Sequence, residues 1–222
     1  MRMILLGPPG AGKGTQAKTL AQRLKLPHIS TGDILRQNVL EGTALGKLAR
    51  DFMNKGALVP DGLVTQMLKS RVSQSDIEKG FILDGYPRNI SQARALDAML
   101  RKINTAIDLV IYLDTSEPVI IQRLSGRLVC SVCGANFHTK NMPPKVRMTC
   151  DACGGKLYQR SDDIGLETIK KRLQVYLKES SLLIQYYDDK HNFCRLSADG
   201  DKTIVLNRII ELAKEYNDSH KV

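Results

Sequence analysis

The sequence has no tryptophan, and aromatic residues make up only 5% of it. Stacking platforms for single-stranded nucleic acid are therefore scarce. No apolar run approaches the ~20 residues that a membrane-spanning helix needs. The opening run, Met3 to Leu6, is too short for the core of a signal peptide and leads directly into a glycine-rich loop. It reads as a first strand, and the expected location is the cytoplasm. Internal repeats and low-complexity tracts are absent as well. Five cysteines without a secretion signal point to metal binding or free thiols rather than disulfides.

What is present is a chain of 222 residues, 42% hydrophobic, long enough for one substantial core carrying small inserts. Lys and Arg total 33 against 23 Asp and Glu, a formal charge of +10. Such an excess suits an anionic partner, nucleic acid or nucleotide phosphate, although the basic residues are scattered rather than gathered in one run.

Strand-like and helix-like segments alternate. Met3–Leu6, Phe81–Leu83 and Leu109–Leu113 are continuous apolar runs, as expected of strands buried on both faces, and Phe193–Leu196 is a last short strand. Helical spacing marks 12–24, a helix starting near Ile34 and capped by Thr31 or a neighbour, 43–55 stopping at Gly56, and a helix with Pro60 at its first position. Further helices are expected over 91–101, 117–124, 165–187 and 203–216. The alternation predicts an α/β fold, a doubly wound parallel sheet. Residues 127–163 break the pattern and read as an inserted subdomain.

The segment Gly7-Pro8-Pro9-Gly10-Ala11-Gly12-Lys13-Gly14-Thr15 follows a strand and opens a helix. Glycines let backbone N–H groups approach phosphate oxygens, the helix N-terminus adds partial positive charge, and Lys13 adds a full one. The usual pattern has Ser or Thr directly after the lysine. Here Gly14 intervenes before Thr15, which argues against direct metal ligation by that hydroxyl. Asp84-Gly85-Tyr86-Pro87-Arg88 follows the second apolar strand, so Asp84 and Arg88 should face the same crevice as Lys13. Asp84 either holds Mg²⁺ or starts a turn. Arg36, Arg88, Arg123, Arg127, Arg160 and Arg172 lie beside apparent loops and suit the spread charge of a transferring phosphoryl group. No HRD or DFG motif is present, which disfavours a hydroxyl-directed protein kinase.

Cys130-x₂-Cys133 and Cys150-x₂-Cys153 are separated by sixteen residues, each pair followed by glycine, a tetrahedral zinc pattern with no open position. His138 is a possible competing ligand, read as a spare polar residue. Cys194 reads as a core thiol.

Taken together, GPPGAGKGTQ at 7–16, STGDILR at 30–36, LVPDGLV at 58–64, GFILDGYPR at 80–88, Gln92, RLSGR at 123–127, LYQRSDD at 157–163 and KKRL at 170–173 resemble the adenylate kinase family over nearly the whole chain. The resemblance implies a core (1–29, 60–125 and 164–222), an AMP-binding segment (30–59) and a zinc-stapled lid (126–163). It implies that Gly10, Ala11, Gly12, Lys13, Gly14 and Thr15 hold ATP phosphates, that Asn136 and Phe137 lie near the ATP adenine, and that the Lys202 backbone lies near the same base. Arg123 and Arg127 would reach phosphates, and Arg160 and Arg172 would close on the reacting groups. Thr31, Arg36, Ala57, Leu58, Val59, Gly85, Tyr86, Pro87, Arg88 and Gln92 would hold AMP, with Arg160 and Arg172 beside them. Asp33 and Asp84 would orient the water shell of Mg²⁺. ATP, AMP and ADP are the implied partners of a monomer that binds neither nucleic acid nor membrane. Departures from the family pattern are Gly62 in place of Glu, Asn89 in place of Thr, and one extra residue between Asp163 and Arg172. The neighbouring readings are a kinase for UMP, CMP or GMP and, from another class, an ATP-switched zinc protein that binds nucleic acid.

Overall fold

A computed structural model describes residues 1–55, 57–190 and 192–219. The expected helix stop at Gly56 lies outside the described residues. In chain order the elements are β1 (Arg2–Leu6), α1 (Lys13–Leu24), β2 (His28–Ser30), α2 (Thr31–Glu41), α3 (Ala44–Asn54), α4 (Asp61–Val72), β3 (Phe81–Asp84), α5 (Ile90–Arg101), β4 (Leu109–Asp114) and α6 (Glu117–Ser125). Then come β5 (Arg127–Cys130), β6 (Asn136–His138), β7 (Leu157–Tyr158), α7 (Leu166–Asp188), β8 (Phe193–Ser197) and α8 (Lys202–Ser219).

Five strands form a parallel sheet in the order β2-β3-β1-β4-β8. The continuous apolar strands have a simple cause: both sheet faces are covered. Ile4, Leu6, Leu83, Val110 and Tyr112 pack on one side with Leu68, Leu96 and Leu183. Met3, Leu5, Ile82, Ile111 and Leu113 pack on the other with Ala17, Leu20, Leu206 and Ile209. Each fully buried aliphatic side chain contributes about 1.5–3 kcal/mol. The register pairs Leu5 with Asp84 and Leu6 with Tyr112, so the carboxyl ends of β1, β3 and β4 lie side by side.

The cap of α2 is Ser30, the neighbour of Thr31, its Oγ accepting from Asp33 N–H at 3.2 Å. One expectation about a helix start shifts. Pro60 is not the first helical residue; it precedes α4 in an extended conformation and the helix begins at Asp61. β2 has only three residues and no apolar run, so it left no periodic signal.

Residues 127–158 form a separate antiparallel sheet, β6-β5-β7, over a small cluster of Leu128, Phe137, Leu157, Cys130 and Cys150. Among the described residues no helix is long and apolar enough to cross a membrane.

Candidate active site

The loop between β1 and α1 turns three times through glycines in the left-handed region, Gly7, Gly10 and Gly12 (φ 144°, 85° and 92°). At Gly7 the reason is also steric, since a Cβ would stand 2.6 Å from the Leu113 carbonyl oxygen. The turn brings the Lys13 ammonium back over its own loop, where Nζ donates to the carbonyls of Gly7 (2.7 Å) and Pro8 (2.9 Å). Burial lowers the Lys13 pKa to about 8; Asp84 opposes the shift and Arg88, Arg172 and Arg127 add to it. A phosphate would relieve this stress by supplying the missing negative charge.

Gly14 now has a physical reason. A Cβ at this position would lie 3.2 Å from Asp84 Oδ2. A side chain after the lysine would therefore crowd the buried carboxylate of Asp84, which comes from β3 to the same spot. His28 Nε2, on β2, lies 3.6 Å from the same oxygen.

Around this point lies a cavity of about 580 Å³. Lined by Gly10 to Thr15, Asp33, Arg36, Asp84, Gly85, Pro87 and Arg88, it also takes in Arg123, Arg127, Arg160 and Arg172. Asn136, Phe137 and Met142 close it from the inserted sheet, and Lys202 from the start of α8. A smaller adjoining cavity is lined by Thr31, Leu35, Met53, Ala57, Leu58, Val59 and Gln92, again with Arg36, Arg88, Arg160 and Arg172. Of the expected nucleotide-binding residues, Tyr86 alone lines neither. Its side chain is fully buried and its hydroxyl donates to the Gln92 carbonyl at 3.1 Å, which leaves only its backbone for a ligand. The Lys202 carbonyl accepts from Gln16 Nε2 at 3.0 Å, which ties α8 to α1.

Arg127, Arg160 and Arg172 are held by Asp162 and Asp163, acids to which the sequence motifs assigned no role. Arg127 donates through Nε and Nη2 to both oxygens of Asp163, at 2.7 and 2.8 Å. Arg172 pairs with Asp163 as well, and its Nη1 donates to the Asp162 carbonyl at 2.8 Å. Arg160 Nε donates to Asp162 Oδ1 at 2.8 Å. Burial alone would raise the Asp162 pKa; Arg160 and Arg172 outweigh it and hold the carboxyl well below the usual range. Asp163 is fully buried. Arg172 thus stands on the cavity wall. On the other wall Arg36 is paired to Asp33. Arg88 Nε donates to the Gly85 carbonyl at 2.9 Å, which also accepts from Thr31 Oγ1 at 2.9 Å. Burial, with Arg172 and Arg36 nearby, lowers the Arg88 pKa to about 10. Arg123 Nη2 reaches the Asp199 and Gly200 carbonyls at 3.3 Å.

Contacts cross the cleft. Lys18 Nζ donates to the Gly134 carbonyl at 2.7 Å, and Ser161 Oγ donates to Asn54 Oδ1 at 2.9 Å. The inserted segment therefore touches α1 on one side and, through the turn after β7, α3 on the other.

The sulfurs of Cys130, Cys133, Cys150 and Cys153 all lie within 4.8 Å of one another. Cys130 and Cys153 are 3.5 Å apart, and Cys133 and Cys150 are 3.6 Å apart. Four thiolates about 2.3 Å from a tetrahedral zinc stand roughly 3.8 Å apart, so the cluster fits such an ion. Gly134 and Gly154, at φ 64° and 71°, donate N–H bonds back to the Cys130 and Cys150 carbonyls and close the two turns. His138 lies elsewhere: its Nδ1 accepts from the N–H groups of Lys140 and Asn141. Cys194 is half-buried in β8, and burial raises its thiol pKa.

A phosphate loop at the carboxyl edge of a parallel sheet, faced by arginines in a cleft closed from two sides, defines a nucleoside monophosphate kinase, a phosphotransferase. The adenylate kinase family model matches residues 5–192. Adenylate kinases of Methanocella arvoryzae and Caldanaerobacter subterraneus are 52% and 51% identical over 204 residues, 92% of this chain and 93% and 91% of theirs. That of Methanosarcina mazei is 49% identical over 209 residues, 94% of this chain and 96% of its own. The chain belongs to the adenylate kinase family.

Proposed function

We propose that the protein transfers a phosphoryl group reversibly between Mg·ATP and AMP, giving two ADP. The observation that carries this reading is the paired cavity. One chamber is built on the phosphate loop, the other on Thr31, Val59 and Gln92, and Arg36, Arg88, Arg160 and Arg172 line both. ATP would occupy the first, with Gly10 to Thr15 on its phosphates, Arg123 and Arg127 beside them, and Asn136, Phe137 and the Lys202 backbone by its base. AMP would occupy the second, held by Thr31, Arg36, Ala57 to Val59, Gly85 to Arg88 and Gln92.

The acceptor needs no protein base, because a nucleoside monophosphate has a second pKa near ~6 and is already largely ionised at neutral pH. The residues instead position two anions in line and stabilise the charge that spreads between them. Lys13, Arg88, Arg123, Arg160 and Arg172 supply that charge. Mg²⁺ would partly neutralise the ATP phosphates; Asp33 and Asp84, hard oxygen donors on the cavity wall, would hold its water shell. Residues 30–59 form the AMP-binding segment and 126–163 the lid, set on a core of 1–29, 60–125 and 164–222. Closure of both excludes water and suppresses ATP hydrolysis. The four thiolates hold a structural zinc, consistent with a reducing, cytoplasmic setting. We expect a monomer.

A coupled assay of ATP against AMP, UMP, CMP and GMP tests the reading. AMP should lead by at least about 100-fold in kcat/KM. A lead by another monophosphate overturns the assignment.

A further inference from the structure

Asp61 opens α4 and is assigned to neither nucleotide above. Its carboxylate meets the amide of Gln92: Nε2 donates to Asp61 Oδ1 at 2.6 Å. At the other end of the same amide, Gln92 Oε1 accepts from the Arg88 backbone N–H at 2.9 Å. Asn89 links the parts. Its Nδ2 donates to both Asp61 oxygens, at 3.1 and 3.0 Å, and its Oδ1 accepts from Gln92 N–H at 2.9 Å, capping α5. The residue that replaces the usual threonine therefore does a second task. Threonine could cap the helix but has no amide to lay across a carboxylate. Gln92 is only 2% exposed and lines the smaller cavity.

A primary amide has two N–H donors and two carbonyl lone pairs. In Gln92, Asp61 takes one donor and Arg88 supplies one lone pair with its proton. One donor and one acceptor remain. The two ends cannot be exchanged. Flipped, the NH₂ would face the Arg88 N–H and the carbonyl would face a carboxylate, leaving buried polar groups opposed rather than paired. A 6-aminopurine offers an acceptor at N1 and a donor at C6. A 6-oxopurine offers the reverse. An amide locked in one orientation fits one pattern and opposes the other.

We propose that Asp61 is the positioning residue that locks the Gln92 amide and so makes the acceptor site select 6-aminopurine over 6-oxopurine monophosphates. The inference rests on the reading that the smaller chamber takes AMP. Asp61 also sits in the first turn of α4, where a carboxylate complements the helix N-terminus. That role alone would not affect base choice.

The test is kcat/KM for AMP against IMP, which differ only at N1 and C6, measured on the full chain with ATP as donor. Asp61→Ala should lower the AMP-to-IMP ratio at least about tenfold, with KM for ATP within about twofold of wild type. Asp61→Asn, of equal size, should lower it in the same direction by about threefold, and it carries the test if the alanine variant does not fold. In a Gln92→Ala background, Asp61→Ala should move the ratio by less than about twofold. An unchanged ratio in the Asp61 variants, or an equal fall with and without Gln92, overturns the proposal. A wild type that prefers another monophosphate to AMP overturns the acceptor reading and this inference with it. A wild type that prefers AMP, with Asp61 variants that keep the ratio, overturns this inference alone.

Discussion

Arg127 and Asp163 meet fork to fork, with Nε and Nη2 each donating to one oxygen of a carboxylate that has no exposed surface. The same carboxylate pairs with Arg172, and Arg160 Nε lies 3.9 Å from it. One buried acid thus gathers cations from β5, from the turn after β7 and from α7. Asp163→Ala would leave Arg127 without its carboxylate partner and Arg172 with only Asp162. Breaking a buried pair of this kind costs about 3–5 kcal/mol. The variant should melt well below wild type and lose at least about 100-fold in kcat through misplaced arginines. Thermal melting and initial rates check it; a stable variant within tenfold of wild type would show that Asp163 does not organise the site.

Lys13 gives a pH dependence of definite sign. Its pKa is about 8 in the folded chain against an ordinary 10.5. Below pH 8 it is charged in both states, and the fold bears the full cost of a buried ammonium. Between pH 8 and 10.5 the folded chain sheds the proton first, so the cost fades and stability rises with pH. Lys13→Met should therefore raise the Tm at pH 7 by on the order of a few degrees, with a smaller gain at pH 10, while abolishing transfer. In the wild type, KM for ATP should climb above pH 8 as the charge is lost. A Tm gain undiminished at pH 10 would sink this account.

Gly14 should separate stability from activity. Alanine is favoured over glycine inside a helix by about 1 kcal/mol. Yet its Cβ would press on Asp84 Oδ2 at 3.2 Å. Gly14→Ala should leave the Tm unchanged or slightly raised and cut kcat by at least about tenfold. Melting curves beside steady-state rates decide it, and a fully active variant would remove the steric reason for this glycine.

The inserted sheet has an apolar cluster too small to hold it folded by itself, five buried residues of which two are cysteines. Metal release should loosen residues 127–158 and leave the parallel-sheet core intact. Incubation with a strong chelator should lower the Tm, speed proteolysis between Cys133 and Cys150, and keep the far-ultraviolet signal of the core helices. A metal-free preparation with unchanged melting contradicts it.

The features legible in the sequence were those whose cause is local. Met3–Leu6, Phe81–Leu83 and Leu109–Leu113 announced a doubly covered sheet because every residue in such a strand meets an apolar layer. The loop at Gly7–Thr15 was readable because backbone conformation, helix start and lysine all lie within nine residues. The cysteine pairs were readable because a tetrahedral site needs two tight turns, each closed by its own glycine. Gly62 is the opposite case: open space surrounds it, and nothing in the structure requires glycine there.

The sequence alone determined the phosphate loop, the parallel sheet and the four-thiol staple, since local sterics and burial periodicity write themselves into adjacent residues. Only the tertiary structure decided that Asp84 crowds Gly14, that Asp163 holds Arg127 and Arg172, and that Asp61 reaches Gln92. Each depends on groups brought together by the fold, such as Asp84 from β3 against α1 or Asp61 from α4 against α5. Charge pairing and close approach act through space, and spacing along the chain carries no record of them.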